Sequence, residues 1–570
     1  MYPIIKLFFA FLVRLFFREI CILGRRKVPA GAKIFVIGPH SNQFVDAMMI
    51  VSSSRDQISF LTAQKSLDRK FIGMFARALR CIGVKRPQDS EFIGSGRVCI
   101  VPDTVRLVKD HVFICGNSEC QFTKELKQRD TICIPSLAFS GDCGDAKCIV
   151  TEIYSDYSLR AILVENGNVE CQISPGIEFE YRVLPDVNNQ QVFGSAIDAL
   201  SEGRSIGIFP EAGSHDHIGL LPFKAGAAKL ALTALAKGID VSIVPVAITY
   251  FHPSRFRSRA VVEFGNSISL STKTPSLVRD FVKGGEHKLA ATSSVLGLIR
   301  KSLEDLTIAL PDHETLNTIR AARRLCFPKL GAPENMMVTR SIAKAYLARR
   351  DEPETQALMS RVNEYDALLR SCGLRDHQVR HSLLVSDCAL VSSLGLHSLG
   401  SALRKIVTRC ITLLVMLVLL LPGLVINMPI VVLTRVLSEK RRKEALAVST
   451  VKLHASDVLA TWKMIVASIV FPVVLTLWSV IVTLVLLSRS SEPGNPLALF
   501  TPVASGCLFL SFGSVYGLES LGDLAKSLRP LLFVLFSSKH CLLLLQMERD
   551  ALSQEIQDVF APLVLAALHA

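Results

Sequence analysis

The sequence has few of the aromatic residues that nucleic-acid-binding surfaces use. Its 570 residues include only 2 Trp and 8 Tyr, and no basic stretch alternates with aromatics to form a platform on which bases stack. Nucleic acid is therefore not an expected partner, although the formal net charge is +14. A positive charge of this size suits anionic lipid headgroups or phosphorylated small molecules.

The sequence also lacks a cysteine framework of the kind found in small secreted proteins. Its 15 cysteines are scattered. Several stand inside apolar runs, as small buried hydrophobes do in a reducing compartment: Cys410, Cys507 and Cys541. Two pairs, Cys115/Cys120 and Cys143/Cys148, have a spacing that would allow a zinc site, but no histidine closely flanks either pair. Ordinary hairpin cysteines are the favoured interpretation, and structural zinc is the alternative.

Apolar residues are present in excess. They make up 50% of the chain, and the mean hydropathy of +0.38 is typical of a protein partly embedded in lipid. Two conventional spans are predicted at 464–487 and 497–517. Residues 410–434 contain Pro422, Gly423 and Pro429 and are predicted to form a hairpin, which keeps the basic residues 440–443 on the side of the preceding domain. An interfacial segment at 531–546 and a C-terminal helix at 547–570 complete this membrane region, 410–546, and its tail.

The first 30 residues are predicted to form an interfacial amphipathic helix. Lys6, Arg14 and Arg18 interrupt the apolar run, so no stretch reaches the roughly 20 apolar residues that a spanning helix needs. A cleavable signal peptide is the alternative, but the same charges interrupt its apolar core and no small-residue cleavage site follows.

The part between these regions is predicted to be an α/β domain with a β-rich insertion. Apolar runs bounded by turn residues predict buried strands at 33–38, 205–209, 241–249 and 260–264, which places the α/β domain at 31–86 and 193–270. Within 87–192, short β-branched runs alternate with Gly, Asn and Asp, as in an antiparallel insertion. Residues 271–409 are predicted to be helical and basic, forming either a solvated face or a surface that faces the membrane.

One block of residues carries the chemistry of a general base. In Pro39-His-Ser-Asn-Gln-Phe-Val-Asp46, His40 can take a proton if Asp46 holds its ring in the right tautomer. On one continuous helix the two side chains would point about 240° apart, so the pair requires His40 in the loop before a helix that carries Asp46.

A second block, Gly207-Ile-Phe-Pro-Glu-Ala-Gly-Ser-His-Asp216, follows a predicted strand. The strand places Glu211 at the edge of the sheet where α/β proteins bind ligands, and Gly213 lets the backbone approach a substrate. Lys224 precedes a helical run and can hold a phosphate by charge. The consecutive Ser-His-Asp at 214–216 does not predict a hydrolase triad, because consecutive side chains diverge.

These blocks resemble those of the glycerolipid acyltransferases, which carry His-x4-Asp, a Gly-Arg block, Phe-Pro-Glu-Gly and a proline-bearing strand. The chain resembles more closely the large eukaryotic membrane branch that acylates glycerol 3-phosphate and dihydroxyacetone phosphate at the sn-1 position. The likeness covers about 34–265 and a stretch near Trp462. Its matching stretches include Pro39–Asp46, Ile82-Gly-Val-Lys-Arg-Pro87, Ile208–Asp216, Leu221-Pro-Phe-Lys-Ala-Gly226, Ile243-Val-Pro-Val246, Tyr250-Phe-His-Pro253, Phe256-Arg-Ser-Arg259 and Asp457–Lys463.

The resemblance implies a role for individual residues. His40 would be the general base and Asp46 its orienting partner. Arg86 would bind the acceptor phosphate with help from Lys224. Glu211 and Gly213 would contact or shape the acceptor site, and Pro245 would shape the acyl-CoA side. Purely structural alternatives are a surface ion pair for Arg86, a solvated helix-start lysine for Lys224 and a strand-end proline for Pro245.

Two departures from the family pattern stand out. Five residues separate His40 from Asp46 instead of four, and Ala212 stands where the general block has glycine. The second departure puts a Cβ where the family often has none, which is tolerated if the backbone at Ala212 keeps a negative φ.

The predicted function is transfer of a fatty acyl group from acyl-CoA to the sn-1 hydroxyl of glycerol 3-phosphate and/or dihydroxyacetone phosphate, at the endoplasmic reticulum membrane with the catalytic domain cytosolic. No metal or cofactor is expected, and the bilayer is the expected partner. The alternatives are a lysophospholipid acceptor, a non-catalytic membrane protein that binds acyl-CoA or phospholipid, and a lipid-surface scaffold.

Overall fold

The computed structural model describes residues 1–569 except 103–110, 136–138, 141–145, 165–171, 174–176, 188–189, 218, 271–274, 309, 311, 328–329, 381–395, 449–451, 491–494 and 537–538. The chain divides into two units. The larger unit consists of residues 6–56 and 208–570, and the smaller of residues 1–5 and 57–207.

The strands and helices are numbered in chain order. The strands are β1 Phe17–Leu23, β2 Ala32–Gly38, β3 Ile58–Ala63, β4 Ile82–Val84, β5 Phe92–Ile93, β6 Val98–Pro102, β7 His111–Gly116, β8 Thr131–Ile134, β9 Phe139–Ser140, β10 Ala146–Ser155, β11 Ser158–Val164, β12 Gln172–Ile173, β13 Arg182–Leu184, β14 Ser205–Ile208, β15 Val241–Tyr250, β16 Ser258–Phe264 and β17 Ile268–Ser269. The helices are α1 Tyr2–Phe16, α2 Gln43–Ser53, α3 Gln64–Leu67, α4 Lys70–Ala78, α5 Phe122–Glu125, α6 Gln190–Ser201, α7 Gly226–Ala236, α8 Pro275–Lys283, α9 Gly285–Leu306, α10 His313–Cys326, α11 Ala332–Ala348, α12 Pro353–Ser371, α13 Asp376–Arg380, α14 Leu396–Val448, α15 Asp457–Arg489, α16 Pro496–Phe536 and α17 Lys539–His569.

The larger unit contains four neighbouring strands in the order β1-β16-β15-β2. β15 runs parallel to β2 and antiparallel to β16. Residues 34–37 of β2 and 243–248 of β15 are buried, as in strands covered on both faces. The predicted N-terminal helix is too long. It ends at Phe16, and Phe17–Leu23 pairs with β16 in parallel, because the edge of the sheet satisfies the backbone groups of this segment.

The smaller unit contains parallel pairs of β3 with β14 and with β4. It also contains a seven-stranded sheet in the order β5-β13-β8-β10-β11-β7-β6, whose pairs are antiparallel. This sheet occupies the stretch for which the sequence predicts a β-rich insertion. Its buried core includes Ile114, Phe122 and Tyr181. Of the cysteines considered for zinc, Cys115 and Cys148 lie in strands of this sheet, and Cys143 is outside the described residues.

The basic helical region folds as a bundle with its own core. Helices α10 to α13 pack together with α17, and Ile319, Val362 and Phe560 are among the buried residues. The predicted interfacial segment 531–546 is therefore wrong as a single element. Its start belongs to α16 and its end to α17, where Leu545 is buried in the bundle core.

Three helices among the described residues have the length and composition to cross a membrane: Leu403–Ala447, Asp457–Arg489 and Pro496–Phe533. They fit a membrane protein. The first helix covers residues 410–434, for which a hairpin is predicted. No loop separates two helices there, because the helix continues through Pro422 and Pro429.

The contacts of α15 and α16 define which ends of these helices lie together. Lys463 of α15 donates to the carbonyl of Ser254, and Arg257 pairs with Glu519 of α16, so both helices meet the loop after β15 at these residues. Farther along, the rings of Phe471 and Phe512 lie 5.8 Å apart. The two helices are therefore antiparallel.

The contacts of α14 show that it turns back. Arg409 donates to the carbonyl of Ser527, and Arg441 stacks on Trp462. Both arginines therefore lie at the end of the apolar helices α14 to α16 that is nearer the sheet. Between them, Asn427 bonds Ser511 at the depth of Phe512. A straight helix would separate Arg409 and Arg441 by about 48 Å and leave Arg441 at the far end, so α14 bends at its prolines. The two arms of the hairpin are joined by a bent helix.

Candidate active site

A histidine–aspartate pair lies at the edge of the sheet where β2 ends. His40 is in the loop after β2, and Asp46 is in the first turn of α2. The Nδ1 atom of His40 is 2.7 Å from Oδ2 of Asp46. The side chain of His40 keeps 14% of its surface exposed, and that of Asp46 is fully buried. The extra residue between them is accommodated because the chain changes from loop to helix between the two positions.

Both oxygens of the Asp46 carboxylate are occupied. Oδ2 also accepts the backbone N–H of Asn42 at 2.9 Å, and Oδ1 accepts the hydroxyl of Tyr250 at 2.6 Å. Burial, followed by the charge of Asp46, raises the pKa of Tyr250 well above its ordinary value, so this hydroxyl stays protonated and donates. A carboxylate accepts only, so Nδ1 of His40 carries the proton and Nε2 presents a lone pair.

The ring of His40 is held from the other side by the second sequence block. It stacks on Phe209, with ring centroids 4.0 Å apart. Its backbone N–H donates to Oε2 of Glu211 at 2.7 Å, and its carbonyl accepts the N–H of His215 at 3.0 Å. The loop that carries the candidate base and the loop after β14 thus form one hydrogen-bonded structure.

Glu211 organises these loops. Its side chain is fully buried, Oε1 accepts the N–H of Leu221 at 2.9 Å, and Nε2 of His215 lies 3.0 Å from the same oxygen. Nδ1 of His215 accepts the N–H of His217, so Nε2 is the ring nitrogen nearest Glu211, although it makes no aligned hydrogen bond there. Because each of its oxygens accepts a backbone N–H, Glu211 holds the His40 loop and the loop before Lys224 in place.

Ala212 does not meet the condition under which a Cβ is tolerated there. Its φ is +62°, in the left-handed region, and not negative. The left-handed conformation costs a residue with a Cβ roughly 1–2 kcal/mol. The neighbouring Gly213 has open space where a Cβ would lie, so the position in this loop that favours glycine is 212.

The consecutive Ser214 and Asp216 bind the segment that leads into α15. The hydroxyl of Ser214 donates to Oδ2 of Asp457 at 2.6 Å, and Lys452 pairs with the same carboxylate. The carboxylate of Asp216 accepts the backbone N–H groups of Leu453, at 2.9 Å, and of His454 and Ser456. As expected, these residues do not form a triad.

The pKa of Asp216 reflects this contact. Burial alone would raise it, but the three backbone N–H groups outweigh burial and lower the pKa below its ordinary value. One turn into α15, the hydroxyl of Thr461 donates to the carbonyl of Asn42 at 3.0 Å. The start of this apolar helix therefore touches both sequence blocks, and we call residues 452–461 the α15 clasp.

The remaining predicted residues are in different surroundings. Lys224 is exposed two residues before α7, and its ammonium group has no partner among the residues that the structure describes. Arg86 belongs to the smaller unit, where its guanidinium binds both oxygens of Asp89 at 2.9 and 3.0 Å. Pro245 is buried inside β15, level with Val36 of β2.

The chain is similar to known acyltransferases over most of its length. A family model described as glycerol-3-phosphate acyltransferase 2 C-terminal domain matches residues 318–564, and an acyltransferase model matches residues 186–249. Glycerol-3-phosphate O-acyltransferases 1 and 2 of Saccharomyces cerevisiae are each 32% identical to this chain. The alignments cover 95% and 93% of this chain, and 69% and 72% of those proteins. The chain belongs to the glycerol-3-phosphate O-acyltransferase family.

One further relative and one solved structure are also similar to this chain. An uncharacterized acyltransferase of Schizosaccharomyces pombe is 31% identical over 96% of this chain and 79% of its own length. The crystal structure of the 1-acyl-sn-glycerophosphate acyltransferase from Thermotoga maritima matches 55% of this chain and 81% of its own, with 10% identity and a TM-score of 0.27. The family resemblance stated from the sequence blocks is confirmed by the yeast relatives.

Sequence reasoning missed Tyr250 and the α15 clasp as parts of the site. Tyr250 ends the strand beside β2, so its hydroxyl reaches Asp46 from the neighbouring strand. The available signal was its position in a matching stretch at the end of a buried strand. Asp457 and Thr461 also lay in a matching stretch, but their contact with residues more than 200 positions away needed the tertiary structure.

Proposed function

We propose that this chain transfers a fatty acyl group from acyl-CoA to the sn-1 hydroxyl of glycerol 3-phosphate and/or dihydroxyacetone phosphate. The observation that carries the proposal is the His40–Asp46–Tyr250 chain of hydrogen bonds at the end of β2. It presents Nε2 of His40 as a base in a partly exposed position. Among the described residues, Nε2 has no hydrogen-bond partner of its own. Membership of the family supplies the acceptor class.

The proposed reaction uses this geometry. Nε2 of His40 takes the proton of the acceptor hydroxyl as the oxygen attacks the thioester carbonyl carbon. The tetrahedral intermediate collapses with cleavage of the carbon–sulfur bond, and the imidazolium returns its proton to the departing sulfur. The products are the acylated acceptor and free CoA. The carboxylate of Asp46 stabilises the imidazolium, while Tyr250 and Asn42 hold that carboxylate in place.

The acceptor phosphate needs cations near this base. Lys224 is an exposed cation at the start of α7, where helix N–H groups add to its attraction for phosphate. Arg86 is the second phosphate ligand of the proposal, and to act it must exchange the Asp89 carboxylate for phosphate. Glu211 and Gly213 then shape the acceptor side, and Pro245 the acyl-CoA side from within β15.

We further propose that the catalytic face lies in the cytosol, at the endoplasmic reticulum. The bent α14 brings Arg409 and Arg441 to the same end of the membrane helices as Lys463 and Arg257. The basic residues 440–443 lie beside Trp462 at this end of the helices, and the positive-inside rule assigns such a cluster to the cytosol. Acyl-CoA is drawn from the same side.

The test offers each acceptor separately to the full chain. Membranes from cells that express it are supplied with labelled acyl-CoA and glycerol 3-phosphate, dihydroxyacetone phosphate or a lysophospholipid. We expect labelled sn-1 product with at least one of the first two acceptors and a loss of about 10²–10⁴-fold in His40→Ala. His287→Ala, which removes an exposed imidazole in α9, is the matched control and should leave activity unchanged. Transfer that His40→Ala does not diminish would refute the mechanism. Product from the lysophospholipid alone would show that the acceptor is a lysophospholipid and not glycerol 3-phosphate or dihydroxyacetone phosphate.

A further inference from the structure

Five arginines from neighbouring elements are close enough to interact electrostatically with one another or with His252. They are contributed by the loop after β15, the start of β16 and the helix α10, and we call them the arginine cluster: Arg255, Arg259, Arg320, Arg323 and Arg324. His252 is beside them. Burial, and then the charges of Arg255, Arg320 and Arg259, lower the pKa of His252.

The cluster has little negative charge to balance it. Glu19 lies 4.0 Å from Arg259, and Asp366 is shared between Arg324 and Arg370. The side chains of Arg255 and Arg320 have no hydrogen bond or ion pair with any part of the chain that the structure describes. Asp376, whose charge also acts on Arg323, is bound to Arg549 at 3.0 Å.

Arg323 shows the imbalance most clearly. Only 9% of this residue is exposed, its Nε has no hydrogen-bond partner, and one terminal nitrogen donates to the carbonyl of Phe327 at 3.2 Å. Burial, with the charges of Arg324, Arg259 and Arg320, lowers its pKa to about 10. A buried cation without a counter-ion is costly, so a bound anion would stabilise this arrangement.

The cluster lies at the same edge of the sheet as His40. Arg259 is the second residue of β16, which pairs with the end of β15 through Tyr250 and Ala260. β15 in turn pairs with β2, so about two strand spacings, roughly 10 Å, separate β16 from the strand that leads to His40. The guanidinium carbon of Arg259 lies 4.7 Å from the ring centre of Phe251.

We propose that the arginine cluster and His252 form a second phosphate-binding site, separate from Lys224. Guanidinium groups present planar pairs of donors that match phosphate oxygens, and several of them together favour a doubly charged phosphate ester. The phosphate belongs either to a small substrate of the neighbouring His40 site or to the headgroup of an anionic phospholipid. The first source rests on the proposed acyl transfer, and the second does not.

The experiment measures binding directly, so that it does not depend on turnover. The full chain is purified in detergent as wild type and as the double variant Arg255→Gln/Arg320→Gln, which breaks no bond or ion pair of the described chain. Dissociation constants are measured for coenzyme A, glycerol 3-phosphate and a short-chain phosphatidic acid. Arg350→Gln, at an exposed arginine after α11, is the matched control.

We expect the double variant to bind one of the three probes about tenfold more weakly, with the control unchanged. Weaker binding of coenzyme A or glycerol 3-phosphate identifies a substrate phosphate. The KM for acyl-CoA or for glycerol 3-phosphate, respectively, should then rise by the same factor without a change in kcat. Weaker binding of phosphatidic acid alone identifies a headgroup. Binding of all three probes within twofold of wild type overturns the proposal. A wild type that transfers no acyl group defeats the proposed function, while these binding constants still decide the phosphate site.

Discussion

The hydroxyl of Tyr250 offers a sharp test of how the candidate base is held. In Tyr250→Phe the ring stays in place, stacked on Phe17 at 5.4 Å, and only the hydroxyl bond to Asp46 is lost. That bond is to a buried charged group, for which the usual contribution is about 1.5–3 kcal/mol. If Asp46 is held mainly for the transition state, the loss corresponds to a fall in kcat of roughly 10- to 150-fold.

The assay is steady-state kinetics with acyl-CoA and glycerol 3-phosphate on membranes with matched amounts of protein. Because Tyr250 acts through Asp46 and His40 and does not touch the acceptor, kcat should fall while both KM values stay near wild type. Tyr157→Phe removes a half-exposed phenol hydroxyl from the insertion and serves as the control. A Tyr250→Phe protein with wild-type kcat, or one with a raised KM and unchanged kcat, would refute this account of the dyad.

Three further predictions follow from the loops around the dyad. Lys224→Gln should raise the KM for glycerol 3-phosphate about tenfold and leave that for acyl-CoA unchanged, since one charge-assisted phosphate contact is lost; equal changes in both constants would argue against a phosphate ligand. Ala212→Gly should raise the free energy of unfolding by about 1 kcal/mol, because glycine adopts φ +62° without strain, and a lower melting temperature would contradict this. The pKa of Asp216 is lowered in the folded protein, so its contribution to stability is present above its ordinary value of 3.8 and is lost as the pH falls through the lower folded value. The melting temperature of Asp216→Asn should therefore lie below wild type by a constant amount near neutral pH, and the difference should shrink in acid.

The helical region shows why a charge pattern alone left two interpretations open. Arg350 is exposed, as a solvated face requires. Arg340, however, pairs with Glu263 of β16 at 2.6 Å, and Arg323 is buried. Helical periodicity cannot show this difference, because it depends on which face of each helix the sheet covers. The same limitation applies to residues 17–23, whose apolar residues suited a longer helix until an edge strand was available to pair with them.

Local sequence patterns were enough to predict the local features of the site. Runs of apolar residues located the buried strands, the motif His40–Asp46 required a loop followed by a helix, and the order of the blocks identified the family. These conclusions hold because each depends on neighbouring residues. The tertiary structure alone decided that Tyr250 completes the dyad, that Asp457 and Thr461 tie α15 to the catalytic loops, and that α14 bends back without a loop. Each of these contacts joins residues far apart in the chain, and their meeting depends on sheet order and helix packing, which no local pattern encodes.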